Sequence, residues 1–135
     1  MADTFQLEIV TPEKMVVKTT AEEMQIPGEG GYLGILPGHA PLITELSAGE
    51  ISYRLGADTQ HLAVASGFAE VLSDRVTILA ESAERPSEID VERARISKER
   101  ADKLLTSGEP NVDYPHALAA VQRAETRIAV AAEKS

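Results

Sequence analysis

VTILAESAERPSEIDVERARISKERADKLL, residues 76–105, contains the point at which one kind of chain becomes another. In Val76-Thr77-Ile78-Leu79 the pattern suits a β-strand, whose successive side chains point to opposite faces of a sheet. After Arg85-Pro86-Ser87 the spacing changes. Ser87 is predicted to cap a helix, with Glu88 and Asp90 at its positive end. From Ile89 to Leu105 there is neither Gly nor Pro, and Ala94, Ala101 and Leu105 recur at helical spacing. The boundary predicts two modules, residues 1–84 and residues 85–135.

Upstream of the boundary the two-residue period persists. Phe5-Gln6-Leu7-Glu8-Ile9 alternates, Thr11-Pro12-Glu13 reads as a turn, and Met15-Val16-Val17 opens a second strand. Met24-Gln25-Ile26 and Tyr32 to Leu36 are separated by Glu29-Gly30-Gly31. Pro37-Gly38-His39-Ala40-Pro41 is a loop between two prolines. Ile51 to Leu55, Leu62 to Ala65, Phe68 to Leu72 and Val76 to Leu79 continue the series, with turns at Gly56-Ala57-Asp58 and Ser73-Asp74-Arg75. About eight to ten short strands without an intervening helix predict an all-β sandwich or barrel. With 2 Phe, 3 Tyr and no Trp, its core must be mainly aliphatic.

Downstream, Gly108-Glu109-Pro110 ends the first helix, and Pro115 is predicted to open a second at its first position. Ala117, Val121, Ala124, Ile128 and Ala131 then form a narrow stripe suited to one helical neighbour. The expected element is an αα-hairpin. Its facing residues are alanines with a few larger ones, Leu104, Leu105, Leu118, Val121 and Ile128. Burying a Leu or Ile contributes about 1.5–3 kcal/mol, against about 1–2 kcal/mol of backbone entropy per ordered residue. Such a hairpin is either a marginally held element that can detach and repack or an appendage that stays docked.

The net charge of −9 is carried wholly by residues 1–84, while residues 85–135 are formally neutral. The acidic module disfavours nucleic acid and an anionic membrane surface. It is compatible with a basic protein partner. No cysteine is present, so disulfides and thiol chemistry are excluded. The opening MADTFQLEIV has neither a basic start nor a long apolar run, so no signal peptide is expected.

Catalytic and metal-binding patterns are not found. There is no G-x-S-x-G motif, and His39, His61 and His116 fit no metal-ligand spacing. Gly28, Gly30, Gly31 and Gly34 suit tight β-turns better than a phosphate loop, since no lysine follows. The hairpin's basic residues carry more information. Arg93 and Arg100 share one helix face, as do Arg123 and Arg127 on the other. In an antiparallel hairpin the pairs would converge on an anion such as a nucleotide phosphate. Alternatively they pair with Asp90, Glu99, Asp102 and Glu125 as surface ion pairs.

Gly34-Ile35-Leu36-Pro37-Gly38-His39-Ala40-Pro41 resembles a segment of the epsilon subunits of bacterial and chloroplast F-type ATP synthases. So do Glu29-Gly30-Gly31-Tyr32-Leu33, Leu7-Glu8-Ile9-Val10-Thr11-Pro12, Ser66-Gly67-Phe68-Ala69-Glu70-Val71 and Val76-Thr77-Ile78-Leu79. The order holds across the chain. The resemblance implies a ten-stranded β-sandwich followed by a two-helix domain. It implies a non-catalytic rotor subunit whose sandwich binds the gamma subunit and the ring of c subunits, with Glu29 and His39 at the ring. The helices would extend along gamma towards the alpha and beta subunits of the catalytic head and restrain hydrolysis. Ile89-Asp90-Val91-Glu92-Arg93-Ala94 matches the ATP-binding signature of some bacterial members. A regulatory ATP would then involve Ile89, Asp90, Arg93, Ala94, Arg100, Arg123 and Arg127, and no cofactor is required. The mitochondrial counterpart, named delta, ordinarily starts with a transit segment. A protein peripheral to the cytoplasmic face of a bacterial membrane is therefore expected first, a chloroplast or thylakoid one second. Two other classes remain: a free-standing nucleotide sensor, and an enzyme built on a β-sandwich, which would need convergent catalytic groups.

Overall fold

The computed structural model describes residues 3–133. Ten strands precede two helices. They are β1 (Phe5–Val10), β2 (Met15–Ala21), β3 (Glu23–Gly28), β4 (Gly31–Ile35), β5 (Leu42–Leu46), β6 (Gly49–Leu55), β7 (Asp58–Val64), β8 (Gly67–Val71), β9 (Arg75–Ala80) and β10 (Ala83–Glu84). They hydrogen-bond in the order β10-β7-β6-β3-β5-β8-β9-β1-β2, with β4 on β3. Among the described residues only β1 and β9 run parallel, in the register Ile9 to Ile78; the other pairings are antiparallel.

Alternation decides which face is dry. Phe5, Leu7 and Ile9 on β1, Ile51 on β6, and Val76 and Ile78 on β9 are buried, and their strand neighbours face outward. Met24, Ile26, Ile35, Leu62 and Val71 complete the aliphatic interior. The β6–β7 connection is one residue tighter than the sequence suggested. Asp58 already pairs with Leu55, leaving Gly56 and Ala57 as a two-residue loop. Gly56 has a φ of 63°, as such a hairpin needs at its first loop position. Two strands escaped the sequence reading. In β5 the outward Ile43 is 72% exposed, so hydrophobicity does not track burial there. β10 has two residues, too few for a period.

The first helix starts later than its composition suggested. Pro86–Glu88 forms a short 3-10 turn that contains Ser87. Asp90, not Ser87, caps α1 (Val91–Thr106), its carboxylate accepting a hydrogen bond from the Arg93 N–H at 3.0 Å. The cause is Ile89, which stays extended and is buried against Ala63 of β7 and Val130 of α2 (Tyr114–Ala131). Asp113 caps α2 through the His116 N–H, so Tyr114, not Pro115, is its first residue.

Ala94 and Ala101 of α1 and Ala117 and Ala124 of α2 are buried in the hairpin. Leu104 and Leu118, expected in that seam, are 46% and 58% exposed. Val130 is fully buried but packs towards the sandwich at Ile89 and Ala63. The helix–helix seam therefore rests on methyl groups, and a small separate cluster joins the hairpin to the sheet. Replacing Ile89 with Ala should weaken that joint by about 2 kcal/mol, the low end for such a truncation. Hydrogen exchange checks it. Amides of α1 and α2 should exchange faster while those of β1, β6 and β9 keep their protection; uniform acceleration would contradict the separate joint.

Candidate functional site

Between the hairpin and the sandwich edge lies a cleft of about 420 Å³. Arg93, Arg123 and Arg127 line it from the helices, with Ser97 beside them, and Ser82 and Glu84 line it from the sandwich. The antiparallel hairpin explains the meeting: the start of α1 lies beside the second half of α2, and Arg123 and Arg127 share a face one turn apart.

Three of the four expected arginines are thus brought together. Arg100 is not; it is exposed, two turns further along α1, and does not line the cleft. Ile89 is buried in the joint and Ala94 in the hairpin, so neither offers a surface to a base in this arrangement. The Asp90 carboxylate is engaged in capping α1. None of the four arginines pairs with Asp90, Glu99, Asp102 or Glu125 among the described residues. Those acids serve elsewhere: Arg95 bridges Glu92 and Glu99, and Lys98 reaches Asp102 at 2.9 Å. Glu92 and Glu99 together hold the Arg95 guanidinium above its ordinary range.

Glu84 is the residue that sequence reasoning missed. Both its carboxylate oxygens accept from Arg127, Nε at 2.8 Å and Nη2 at 3.1 Å. Forty-three positions separate the partners, and no local pattern links a two-residue strand to a helix face. This bidentate pair occupies one wall of the cleft and ties α2 to β10, while Arg93 and Arg123 make no ion pair among the described residues. Three guanidinium groups facing one carboxylate leave excess positive charge, suited to a multiply charged anion.

Glu29 and His39 are not neighbours. The Glu29 N–H donates to the Glu45 carbonyl at 3.0 Å, at the closing end of β5. His39 lies in the loop entering the opposite end, where the Gly38 N–H donates to the Ser73 carbonyl at 2.7 Å. The His39 ring Nδ1 is 2.7 Å from the Ala40 carbonyl oxygen. At the first end, Glu29 shares a hydrogen bond with Glu45 and pushes the Glu45 carboxyl above its ordinary value.

A second surface crosses the sandwich. Phe68 pairs with Leu79, Leu79 with Val10, and Val10 with Met15, making one apolar row over β8, β9, β1 and β2. Phe68, Leu79 and Met15 are about half exposed. The row borders a cleft of about 590 Å³ that also includes Leu46. In the sequence, Phe68 and Leu79 looked like ordinary strand residues; only the register aligns them.

Among the described residues, no helix is long and apolar enough to cross a membrane. A double-mutant cycle on Glu84→Gln and Arg127→Ala should give a coupling of about 1 kcal/mol, reduced from a fully buried pair because both side chains remain about a quarter exposed. Thermal unfolding of the four proteins measures it, and additive effects would show that the pair ties nothing together.

Two family profiles cover the chain. That of the ATP synthase delta/epsilon chain β-sandwich domain matches residues 4–86, and that of the delta/epsilon chain long α-helix domain matches residues 87–132. The ATP synthase epsilon chain of Koribacter versatilis is 69% identical over 110 residues, covering 82% of this chain and 78% of the relative. That of Solibacter usitatus is 46% identical over 134 residues, covering 99% and 100%. In the Euglena gracilis mitochondrial ATP synthase, a chain of similar fold gives a TM-score of 0.82 at 22% identity, with 93% of this chain and 80% of that one covered. In a central stalk and c-ring structure of Tetrahymena thermophila the values are 0.58, 13%, 93% and 92%. A β-sandwich carrying an α-hairpin, matched over both parts and in close relatives over nearly full length, places the chain in the ATP synthase delta/epsilon family.

Proposed function

We propose that this chain is a non-catalytic central-stalk subunit of a rotary ATP synthase, coupling proton flow to ATP synthesis and restraining ATP hydrolysis through its hairpin. The observation that carries the reading is family membership over both parts of the chain, joined to an apolar row on an otherwise acidic sandwich. A row in which Phe68, Leu79 and Met15 are exposed and Val10 is half-buried suits a permanent protein partner. We assign that row to the gamma subunit. The c ring is met from both ends of β5, by the Glu29 turn and by the His39 loop, and the exposed hairpin face with Leu104 and Leu118 meets gamma and the alpha and beta subunits when the helices extend. Residues 1–84 are the binding module and 85–135 the regulatory one. The subunit works as a peripheral member of a membrane complex, on the cytoplasmic face in a bacterium.

Introducing Asp at Phe68 should abolish co-purification of gamma with the tagged chain while its circular dichroism stays unchanged. Removing residues 86–135 should leave assembly intact and keep or raise hydrolysis. Retained gamma binding by the Phe68 variant would move the interface elsewhere.

The cleft is assigned to a regulatory ATP, its phosphates meeting Arg93, Arg123 and Arg127, with Ser82 and Ser97 in reach of the same cavity. Arg127 must exchange Glu84 for phosphate, a trade between two bidentate acceptors. Asp90 contributes by fixing the start of α1 and hence the position of Arg93. A ligand spanning both helices stabilises the folded hairpin by about 2.7 kcal/mol at 100 times its dissociation constant. Calorimetric titration with ATP should show binding that weakens at least tenfold in Arg93→Ala and in Arg127→Ala. Absence of heat at millimolar ATP removes the nucleotide and leaves the stalk assignment standing.

A further inference from the structure

Away from the arginine cleft, a second polar cluster joins the two parts of the chain. It consists of Glu50 on β6, His61 on β7 and Glu133 just beyond α2, with one ligand atom of each lying within 4.8 Å of the others. Glu50 and His61 are diagonal neighbours on one face of the sheet, because Glu50 pairs with Ala63 and Ser52 with His61. The His61 Nδ1 is 2.6 Å from a Glu50 carboxylate oxygen. Its Nε2 faces a Glu133 oxygen at 3.9 Å. We propose that these residues form a binding site for a divalent transition-metal ion of the zinc type, which clamps the end of α2 to the sandwich.

Hydrogen-bond inventory leads to a cation. A carboxylate only accepts, so Glu50 takes the proton on Nδ1. When Nε2 carries no proton it presents a lone pair to Glu133, which also has only lone pairs to offer. A positively charged atom between Nε2 and Glu133 satisfies both: a proton on Nε2, which makes an imidazolium paired with both glutamates, or a metal ion in its place. Bonds of about 2.0–2.1 Å from one ion to a histidine nitrogen and a carboxylate oxygen set those atoms roughly 3.3 Å apart at a tetrahedral angle. The 3.9 Å gap closes to that with a small rotation of the Glu133 side chain, which is 47% exposed. Glu50 supplies the outer carboxylate that fixes the ring and raises its basicity, a role common behind metal-bound histidines.

Glu50 is itself held. Its backbone N–H donates to the Tyr32 hydroxyl at 2.8 Å, tying it to β4. Two carboxylates and a neutral imidazole carry two negative charges, matching a divalent ion. The last carbonyls of α2 add negative potential nearby. Imidazole favours zinc, cobalt, nickel or copper over magnesium and calcium, which prefer all-oxygen sites. Water fills the remaining coordination positions, so an exchangeable site is expected. The bound ion holds the hairpin against the sandwich independently of the arginine cleft.

The test uses the full untagged chain in chelator-treated buffer, titrated with zinc, with magnesium as control and cobalt as the spectroscopic probe. One zinc should bind saturably, magnesium should not, and cobalt should develop visible absorption from nitrogen ligation. His61→Ala and Glu133→Gln should each weaken zinc at least tenfold, and Glu50→Gln by about 10–100-fold. Zinc should slow amide exchange in α2 and leave the β8–β9 pair unchanged. Should His61→Ala fail to fold, Glu133→Gln, altered only at an exposed position, decides alone. No saturable zinc binding below millimolar, affinity unchanged in Glu133→Gln, or binding without protection of α2 would each overturn the proposal.

Discussion

The hairpin is joined to the sandwich through Ile89, an aliphatic residue held extended and 8% exposed between Ala63 of β7 and Val130 of α2. Because Ile89 is not helical, the Asp90 cap sets the start of α1 one residue later, at Val91. That start fixes which face of α1 meets α2 and where Arg93 points. Val130 fixes the other helix from its far end. The arginine cleft and the cluster at His61 both lie across this seam, so both depend on the same three apolar residues. Burial of an isoleucine is worth about 1.5–3 kcal/mol, modest against the entropy of ordering two helices.

The two parts are therefore held on different scales. The sandwich buries an aliphatic interior fed by nearly every strand, from Phe5 to Ile78. The hairpin adds methyl groups from Ala94, Ala101, Ala117 and Ala124, then a few polar ties. These are the Glu84–Arg127 pair, the hydrogen bond from Gln122 to the Ala48 carbonyl at 3.1 Å, and the approach of His61 to Glu133. Directional ties of this kind can be exchanged for other partners one at a time. A marginal apolar seam lets an element leave; a set of replaceable polar contacts lets ligands decide when it does.

Charge has the same division. The sandwich carries the whole negative excess, and the hairpin is formally neutral, with Arg93, Arg123 and Arg127 lining the cleft. Glu84 meets Arg127 there, so the residues proposed to receive an anion also hold the hairpin in place. A phosphate that enters competes with the carboxylate that helps keep the hairpin docked. It must therefore hold the helices together better than Glu84 alone did. Elsewhere on the sandwich, the row from Phe68 to Met15 has no charge across four strands, although acids flank it at Glu45 and Glu70.

Much of the architecture was legible from local pattern. Alternation at Phe5 to Ile9 and Val76 to Leu79 marked the sandwich, and the change after Pro86 marked the hairpin, because periods of two and of about 3.6 follow from backbone geometry alone. Local chemistry also marked three of the arginines that converge. It misplaced the first cap at Ser87, since nothing local says that Ile89 will be held extended by Ala63 and Val130. It missed β5, where Ile43 is hydrophobic yet exposed, and it put Leu104 and Leu118 inside a seam that they leave. Glu84, the row through Phe68 and the meeting of Glu50, His61 and Glu133 were out of reach for one reason. Each joins residues on different elements, and strand order, register and helix docking set that proximity. The sequence alone determined the kind of element that fills each part and where the period changes. Tertiary packing decided which side chains meet, because a contact across elements depends on how separate apolar surfaces fit together rather than on any spacing along the chain.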